Sequence, residues 1–152
     1  MAVMYITVPG IPAAQGSKRF VGSQTGRGIM VESSKALAPW RDSVIHAARQ
    51  VMQTGFDTFT GPVTVDMSFY FPRPKSHYGT GGNANRIKDR APDHKTSAPD
   101  LDKLVRAVCD ALTQAGVWRD DSLVVVLWSS KRYANDARCE IVVGPLPPYP
   151  RR

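Results

Sequence analysis

The sequence predicts a single small α/β (α+β) domain in which a mixed β-sheet is packed against two main helices. Three observations support this fold class. The chain has 152 residues, which fits one domain with one hydrophobic core. Residues 63–71 alternate between apolar and polar side chains, as a half-buried strand does. Two segments, at about residues 38–53 and 101–115, each carry one apolar stripe with helical spacing.

The first elements are a strand and a hairpin-like excursion. Residues 3–8 alternate as a strand that is apolar on both faces, and Pro9 ends it together with the glycine that follows. Residues 13–28 contain Gly and Ser and no helical stripe, so we expect an excursion there. A short strand at residues 29–31 closes it.

The middle of the chain predicts a helix followed by a strand. The helix at residues 38–53 has Pro39 in its first turn, where no amide donor is lost, and Gly55 just beyond its end. The alternation over residues 63–71 is the clearest strand signal in the chain. Pro72 terminates this strand.

The C-terminal part predicts a helix and two strands. The helix runs from about residue 101 or 102 to residue 115, and Gly116 stands where a C-terminal cap belongs. Residues 123–129 and 137–143 are the last two strands, with a turn between them. The predicted order is strand, short strand, helix, strand, helix, strand, strand, which suits one mixed sheet.

We expect one domain over residues 1–144. Within it, residues 76–98 form a long basic loop without periodicity, and such loops are usually functional or disordered. Residues 145–152 form a Pro-rich tail.

Composition narrows the partners and the compartment. Twenty Lys and Arg against 13 Asp and Glu give a net charge of +7, which suits a polyanionic partner but equally a solvated basic surface. No apolar run spans a membrane, and the N-terminus lacks a signal peptide, so we expect a cytoplasmic protein. Cys109 and Cys139 are expected to be small buried side chains. The tryptophans are expected in the core: Trp40, Trp118 and Trp128.

Four aspartates form two close pairs in this basic chain. Asp100 and Asp102 stand at the start of the second helix, and Asp120 and Asp121 follow its end. Clustered carboxylates repel one another unless a cation binds them, and hard oxygen ligands suit Mg²⁺ or Mn²⁺. Because the chain reverses after the helix, we expect both pairs at one end of the sheet. The alternatives are that Asp102 only caps the helix and that the second pair is a solvated turn.

Arg106 lies on the same predicted helix face, four residues after Asp102 and four before Asp110. One interpretation is a ladder of ion pairs along the helix. The other is a cation that stabilises charge on a scissile phosphate. We expect Asp110 to be structural rather than catalytic.

The combination of these motifs resembles the RusA-like endodeoxyribonucleases, which are Holliday junction resolvases often encoded by phages and prophages. The matching segments cover the chain from about residue 5 to residue 144. They are Pro9-Gly10-Ile11-Pro12, Gly16-Ser17-Lys18-Arg19, Phe71-Pro72-Arg73-Pro74-Lys75-Ser76-His77, Pro99-Asp100-Leu101-Asp102-Lys103-Leu104, Asp110-Ala111-Leu112 and Gly116-Val117-Trp118-Arg119-Asp120-Asp121.

The resemblance implies a homodimeric enzyme that nicks four-way DNA junctions symmetrically and needs Mg²⁺, with Mn²⁺ as a possible substitute. Its essential aspartates would be Asp100, Asp102 and Asp121, with Asp120 beside them as a further metal ligand. The family's catalytic lysine falls on Arg106. Lys and Arg are not interchangeable, so we assign Arg106 charge stabilisation rather than proton transfer.

Basic side chains are the expected phosphate contacts, and each one that neutralises a phosphate steepens the salt dependence of binding. The candidates are Lys18, Arg19, Arg73, Lys75, Lys95, Lys103, Lys131 and Arg132. Two other functions stay open at this point. One is a nuclease for flaps or other branches with the same metal site, and the other is a non-catalytic DNA-binding module.

Overall fold

The computed structural model describes residues 2–16, 18–20, 30–32 and 35–147, and of residues 18–20 and 30–32 it describes the backbone alone. The strands and α-helices of the described residues occur in the predicted order. They are β1 (Met4–Pro9), β2 (Lys18–Phe20), β3 (Met30–Glu32), α1 (Leu37–Met52), β4 (Val63–Phe71), α2 (Leu101–Ala115), β5 (Val124–Tyr133) and β6 (Arg138–Pro145).

The main sheet has four strands in the order β1-β6-β4-β5, and β2 pairs with β3 in a separate two-stranded sheet. β4 and β5 are parallel, whereas β6 runs antiparallel to both β1 and β4. A parallel pair needs a crossover connection, and α2 supplies it. Helix α2 therefore begins near the carboxyl ends of β4 and β5 and ends near their amino ends. The predicted mixed sheet with two main helices is confirmed.

The hydrophobic core lies between the two helices and one face of the main sheet. The alternation predicted for β4 is observed, since Val63, Val65, Met67, Phe69 and Phe71 are all buried. Helix α1 packs on α2 and on β1, while α2 also packs on β5. The opposite face of the sheet has no helix against it in the described part of the chain. We call it the open face.

Strand β5 extends four residues beyond its predicted end, from residue 129 to Tyr133. The reason is its position at the edge of the sheet, next to β4 alone. Its polar second half pairs in register with β4 as far as Tyr133 opposite Phe71. An edge strand accepts polar and charged residues, so the apolar pattern ends before the strand does.

The loop after β4 is shorter on structure than a strand or helix but is not featureless. It contains two 3₁₀ turns, Lys75–His77 and Gly81–Asn83, and an isolated bridge between Tyr78 and Ile87. The backbone N–H of Gly79 donates to the carbonyl of Arg86 at 2.9 Å. The excursion predicted before α1 contains the β2–β3 hairpin, but most of its residues lie outside the described ranges, as do residues 148–152 of the tail.

Two of the three tryptophans occupy the predicted core, and the third does not. Trp40 and Trp118 are buried, whereas 70% of the Trp128 side chain is exposed. The prediction for Trp128 is wrong because the even-numbered residues of central β5 point to the open face. Its neighbour in the sheet, Asp66, is exposed on the same side.

Both cysteines are free, with Cys139 buried and Cys109 half-buried on α2. Burial is the main cause that raises the pKa of the Cys109 thiol to about 12, and the nearby carboxylates of Asp121 and Asp110 add to it. The thiol is therefore neutral at physiological pH. No helix among the described residues has both the length and the apolar character needed to cross a membrane.

Candidate functional site

The first acidic pair lies at the junction between the long loop and α2. Asp100 precedes the helix in an extended conformation (φ −71°, ψ 141°), and its carbonyl accepts the first helical hydrogen bond from Leu104 at 3.1 Å. Its side chain makes no capping hydrogen bond. Asp102 lies inside the first turn, so it is not the N-cap. Both carboxylates are exposed and available to a ligand.

Lys131 of β5 holds the backbone directly before this pair. Its ammonium donates to the carbonyl of Ser97 at 2.9 Å and to the carbonyl of Pro99 at 3.0 Å. It projects from the helix-covered side of the sheet, where its register partner is the buried Phe69. Lys131, predicted as a phosphate contact, therefore uses two of its three donors on the chain beside Asp100.

A second lysine reinforces the same segment. Lys95 donates to Ser97 Oγ at 3.0 Å, and its ammonium lies 4.9 Å from the centre of the Phe71 ring. Burial first, and the charge of Lys131 second, lower the pKa of Lys95. Two half-buried cations thus stand within one short stretch that leads to the first acidic pair.

Tyr133 anchors the beginning of the loop at the end of β5. The Arg73 guanidinium lies 4.5 Å from the Tyr133 ring centre and donates to the carbonyl of Pro92 at 2.7 Å. The His77 ring meets Tyr133 edge to face at 5.4 Å. Cation–π contacts of this kind contribute about 0.5–1 kcal/mol each at exposed sites. The side chain of Arg73 is thus engaged in loop structure, although it was predicted to bind phosphate.

The second acidic pair lies in the turn between α2 and β5. Gly116 ends the helix in the left-handed conformation (φ 81°), as its position predicted. Asp120 accepts a hydrogen bond from the backbone N–H of Ser122 at 3.1 Å, and this bond is the main cause that lowers the pKa of Asp120. Asp121 opens the following 3₁₀ turn and is exposed.

The two acidic pairs do not meet within one chain. Asp121 comes near Cys109, which lies seven residues and therefore about 10 Å further along α2 than Asp102. In the described residues, no three His, Cys, Asp or Glu side chains are grouped so as to hold a metal ion. The expectation that both pairs reach one end of the sheet is wrong for a single chain. The parallel crossover is the reason, because it puts the two ends of α2 at opposite ends of β4 and β5.

The turn that carries the second pair is attached to α2 by a buried hydrogen bond. The indole N–H of Trp118, 1% exposed, donates to Thr113 Oγ1 at 2.7 Å. We expect Thr113→Val to lower the free energy of unfolding by about 1–3 kcal/mol, because it leaves a buried donor without an acceptor. Urea unfolding measures this. The control is Thr54→Val, whose exposed hydroxyl donates only to Val51 O; equal losses in the two variants would contradict the assignment.

Arg106 is exposed on α2, one turn after Asp102. It forms no ion pair with Asp102 or with Asp110, all three of which are described residues; the salt bridge found in that part of the chain joins Arg138 and Glu140. The predicted ladder of ion pairs is therefore absent. The guanidinium is left available on the surface that also carries Asp102.

The other predicted phosphate contacts are scattered. Lys75 is exposed in the 3₁₀ turn after β4, and Lys103 is half-buried in the first turn of α2. Arg132 is exposed and donates to Ser130 Oγ at 3.2 Å. The backbones of Lys18 and Arg19 lie in β2, while their side chains lie outside the description.

Sequence reasoning missed the wall that stands beside Asp100. A cavity of about 430 Å³ separates the start of α2 from the segment after β1, and it is lined mainly by small side chains with Asp100 and Lys103 at its rim. The backbone N–H of Gln15 donates to the carbonyl of Lys103 at 3.1 Å and so joins the two segments. The run of Pro, Ala and Gly over residues 12–16 was the available signal, since small residues permit close backbone approach.

Comparison with known proteins places this geometry in a family. Residues 9–144 match the family described as Endodeoxyribonuclease RusA. The chain is also similar to "Uncharacterized protein YqaN" of Bacillus subtilis (strain 168). The two are 33% identical over 147 residues, which is 94% of this chain and 96% of that protein. The match includes β4, α2, the turn after it and both acidic pairs. The chain therefore belongs to the RusA family of endodeoxyribonucleases.

Proposed function

We propose that this protein is a Mg²⁺-dependent endodeoxyribonuclease that resolves four-way DNA junctions by paired symmetric nicks and works as a homodimer. The family match supports nuclease activity on branched DNA. The observation that carries the assignment of the site is the first acidic pair. Asp100 and Asp102 are exposed, are not used as caps, and are held at a helix start by Lys131.

The first acidic pair fits a divalent cation. Mg²⁺ is usually bound by one or two carboxylates together with substrate phosphates and waters. Asp100 and Asp102 supply two such carboxylates, and in the described residues no cation forms a salt bridge with either of them. When bound, the cation polarises the scissile phosphate and activates water. Asp120 and Asp121 are the further ligands that the family resemblance implies, and one oxygen of Asp120 is already engaged with Ser122.

The residues of the chain itself would orient the phosphate. Asp100 and Asp102 set the position of the cation, and the Arg106 guanidinium one turn later stabilises charge that develops on the phosphate oxygens. An arginine remains protonated at neutral pH, so Arg106 does not transfer the proton.

DNA contacts outside the site would come from the exposed bases near it. Lys75, Lys103 and Arg132 remain candidates, together with Lys18 and Arg19 on the hairpin. Lys131, Lys95 and Arg73 would act mainly on the loop, because their polar groups are engaged with Ser97, Pro99 and Pro92. Basic groups that only contact phosphate contribute affinity without sequence preference.

Cleavage of synthetic DNA tests the proposal directly. We expect paired nicks at symmetric positions in a labelled four-way junction with Mg²⁺ or Mn²⁺, and none with EDTA. A flap and a linear duplex of the same sequences are the matched controls. Preferred cutting of the flap would replace the junction by another branch as substrate, and junction binding without cutting in either metal would make the protein a binding module.

A further inference from the structure

The open face of the sheet is unusually apolar at one end. Strand register defines rows of side chains across it, and one row contains Tyr5, Val142, Asp66 and Trp128. Tyr5 and Trp128 are each 70% exposed and stand on the two outermost strands. A sheet face in contact with water normally carries polar side chains, so this row is not explained by solvent.

The neighbouring row extends the same apolar area. It contains Val3, Gly144, Thr64 and Val126, and a Cβ built on Gly144 would lie 3.4 Å from a methyl group of Val3 and 3.8 Å from that of Thr64. Val3 is 41% exposed. The two rows together form a continuous patch of aromatic, valine and threonine side chains that spans the four strands. Exposed apolar patches of several hundred Å² mark interaction sites.

We infer that a second copy of this chain packs on the open face, so that the two sheets lie face to face. The inference rests on the homodimer of the proposed function and names its contact surface. Sheets that pack in this way lie about 10 Å apart, with their side chains interdigitated. A dimer with two-fold symmetry uses the same patch on both copies, so the patch must be complementary to itself.

The dimensions of the face suit such a contact. Four strands about 4.8 Å apart and about eight residues long give roughly 500 Å² in projection, before the relief of the side chains is counted. Specific interfaces bury about 800 Å² of accessible surface on each partner. Tyr and Trp are also the residues most enriched at the centres of protein interfaces.

The charges of the face are complementary to themselves. Asp66 is the one charged side chain in the two apolar rows, and it would need a cation from the other copy because an unpaired buried charge is costly. Arg132 and Arg138 stand at the opposite end of the same face, on the row of Tyr70. The Arg138 guanidinium already lies 3.9 Å from the Tyr70 ring centre and bonds Glu140 at 2.9 Å. Arg132 is the more available of the two, since its described contact is a single serine hydroxyl.

DNA is a poorer occupant of the apolar rows. They carry no lysine or arginine, and the carboxylate of Asp66 at their centre would repel phosphate. A second copy satisfies both the aromatic side chains and the acid.

Sedimentation velocity over a dilution series of the full chain tests the contact. We expect a dimer, and we expect Trp128→Ser and Tyr5→Ser each to raise its dissociation constant at least about 30-fold, the effect of losing an interface hot spot. The control is Ile87→Ser, which removes an apolar side chain that is 48% exposed in the loop after β4. Circular dichroism verifies that each variant is folded, and two independent variants guard against one that is not.

Three results would overturn the inference. The first is a monomeric parent protein, and the second is a dimer whose dissociation constant neither variant changes. The third is weaker DNA binding by the variants with an unchanged dimer, which would assign the face to nucleic acid. Cleavage of junctions is measured on the same preparations. A parent protein that cuts junctions while failing the dimer test would leave the nuclease assignment standing and remove the interface alone.

Discussion

Asp102→Asn is expected to abolish junction cleavage while junction binding persists. The substitution keeps the size and shape of the side chain and removes the charge that a hard cation requires. Residues that only support metal ligands cost about 10–100-fold in metal affinity or activity when they are changed, so loss of a ligand itself should exceed about 100-fold. Asp102 is exposed and has no capping role, so the fold should be unaffected. Single-turnover cleavage and junction binding without metal are the two measurements.

Asp110→Asn is the matched control for this experiment. It makes the same chemical change two turns later on the same helix, and Asp110 lies near Cys109 rather than at the start of α2. Its cleavage rate should stay close to that of the parent protein. The assignment of Asp102 would be abandoned if both variants cut alike, whether both are active or both are inactive. Asp121→Asn belongs in the same series, because it tests whether the second acidic pair contributes although it lies apart from the first.

Lys131→Met should weaken metal binding by about 10–100-fold in the absence of DNA, as the loss of an outer-shell support does. The physical reason is the pair of hydrogen bonds from Lys131 to the carbonyls of Ser97 and Pro99, which hold the backbone directly before Asp100. Methionine keeps the length of the side chain and removes the donors. Lys131 is therefore a positioning residue that acts through Asp100. Mn²⁺ titration followed by electron paramagnetic resonance measures the affinity without a contribution from DNA contacts.

Arg132→Met provides the comparison, since it removes a positive charge from the adjacent residue on the other side of the sheet. Its Mn²⁺ affinity should equal that of the parent protein. Lys131→Arg retains donors for the two carbonyls, and we expect it to recover part of the affinity. A merely structural role would lower thermal stability in Lys131→Met without changing Mn²⁺ affinity, and a simple charge effect would weaken Mn²⁺ binding equally in Arg132→Met. Either pattern would remove the positioning role.

The elements that could be predicted best are those whose own residues carry the pattern. The alternation over residues 63–71 located β4 to the residue, and Gly116 marked the end of α2. Both signals are local, because side-chain periodicity and a left-handed cap depend on a few neighbouring residues. The acidic motifs around α2 indicated the family for the same reason, and the match over residues 9–144 confirmed it.

The features that were mispredicted depend on partners distant in the sequence. The polar end of β5 is a strand because β4 lies beside it, and Trp128 is exposed because no helix covers that side of the sheet. The roles of Lys131 and Arg73 also changed once their neighbours were known. A surface lysine and a lysine that binds two carbonyls look the same in a sequence.

The sequence by itself therefore determined the family, the two helices, the central strand and the carboxylates that are candidates for a metal. Only the tertiary structure decided where those carboxylates stand. Periodicity does not distinguish a parallel from an antiparallel neighbour, yet that difference decides whether a chain returns to the end it left. Because β4 and β5 are parallel, α2 carries Asp102 and Asp121 toward different ends of the sheet, and Lys131 of β5 meets the backbone beside Asp100.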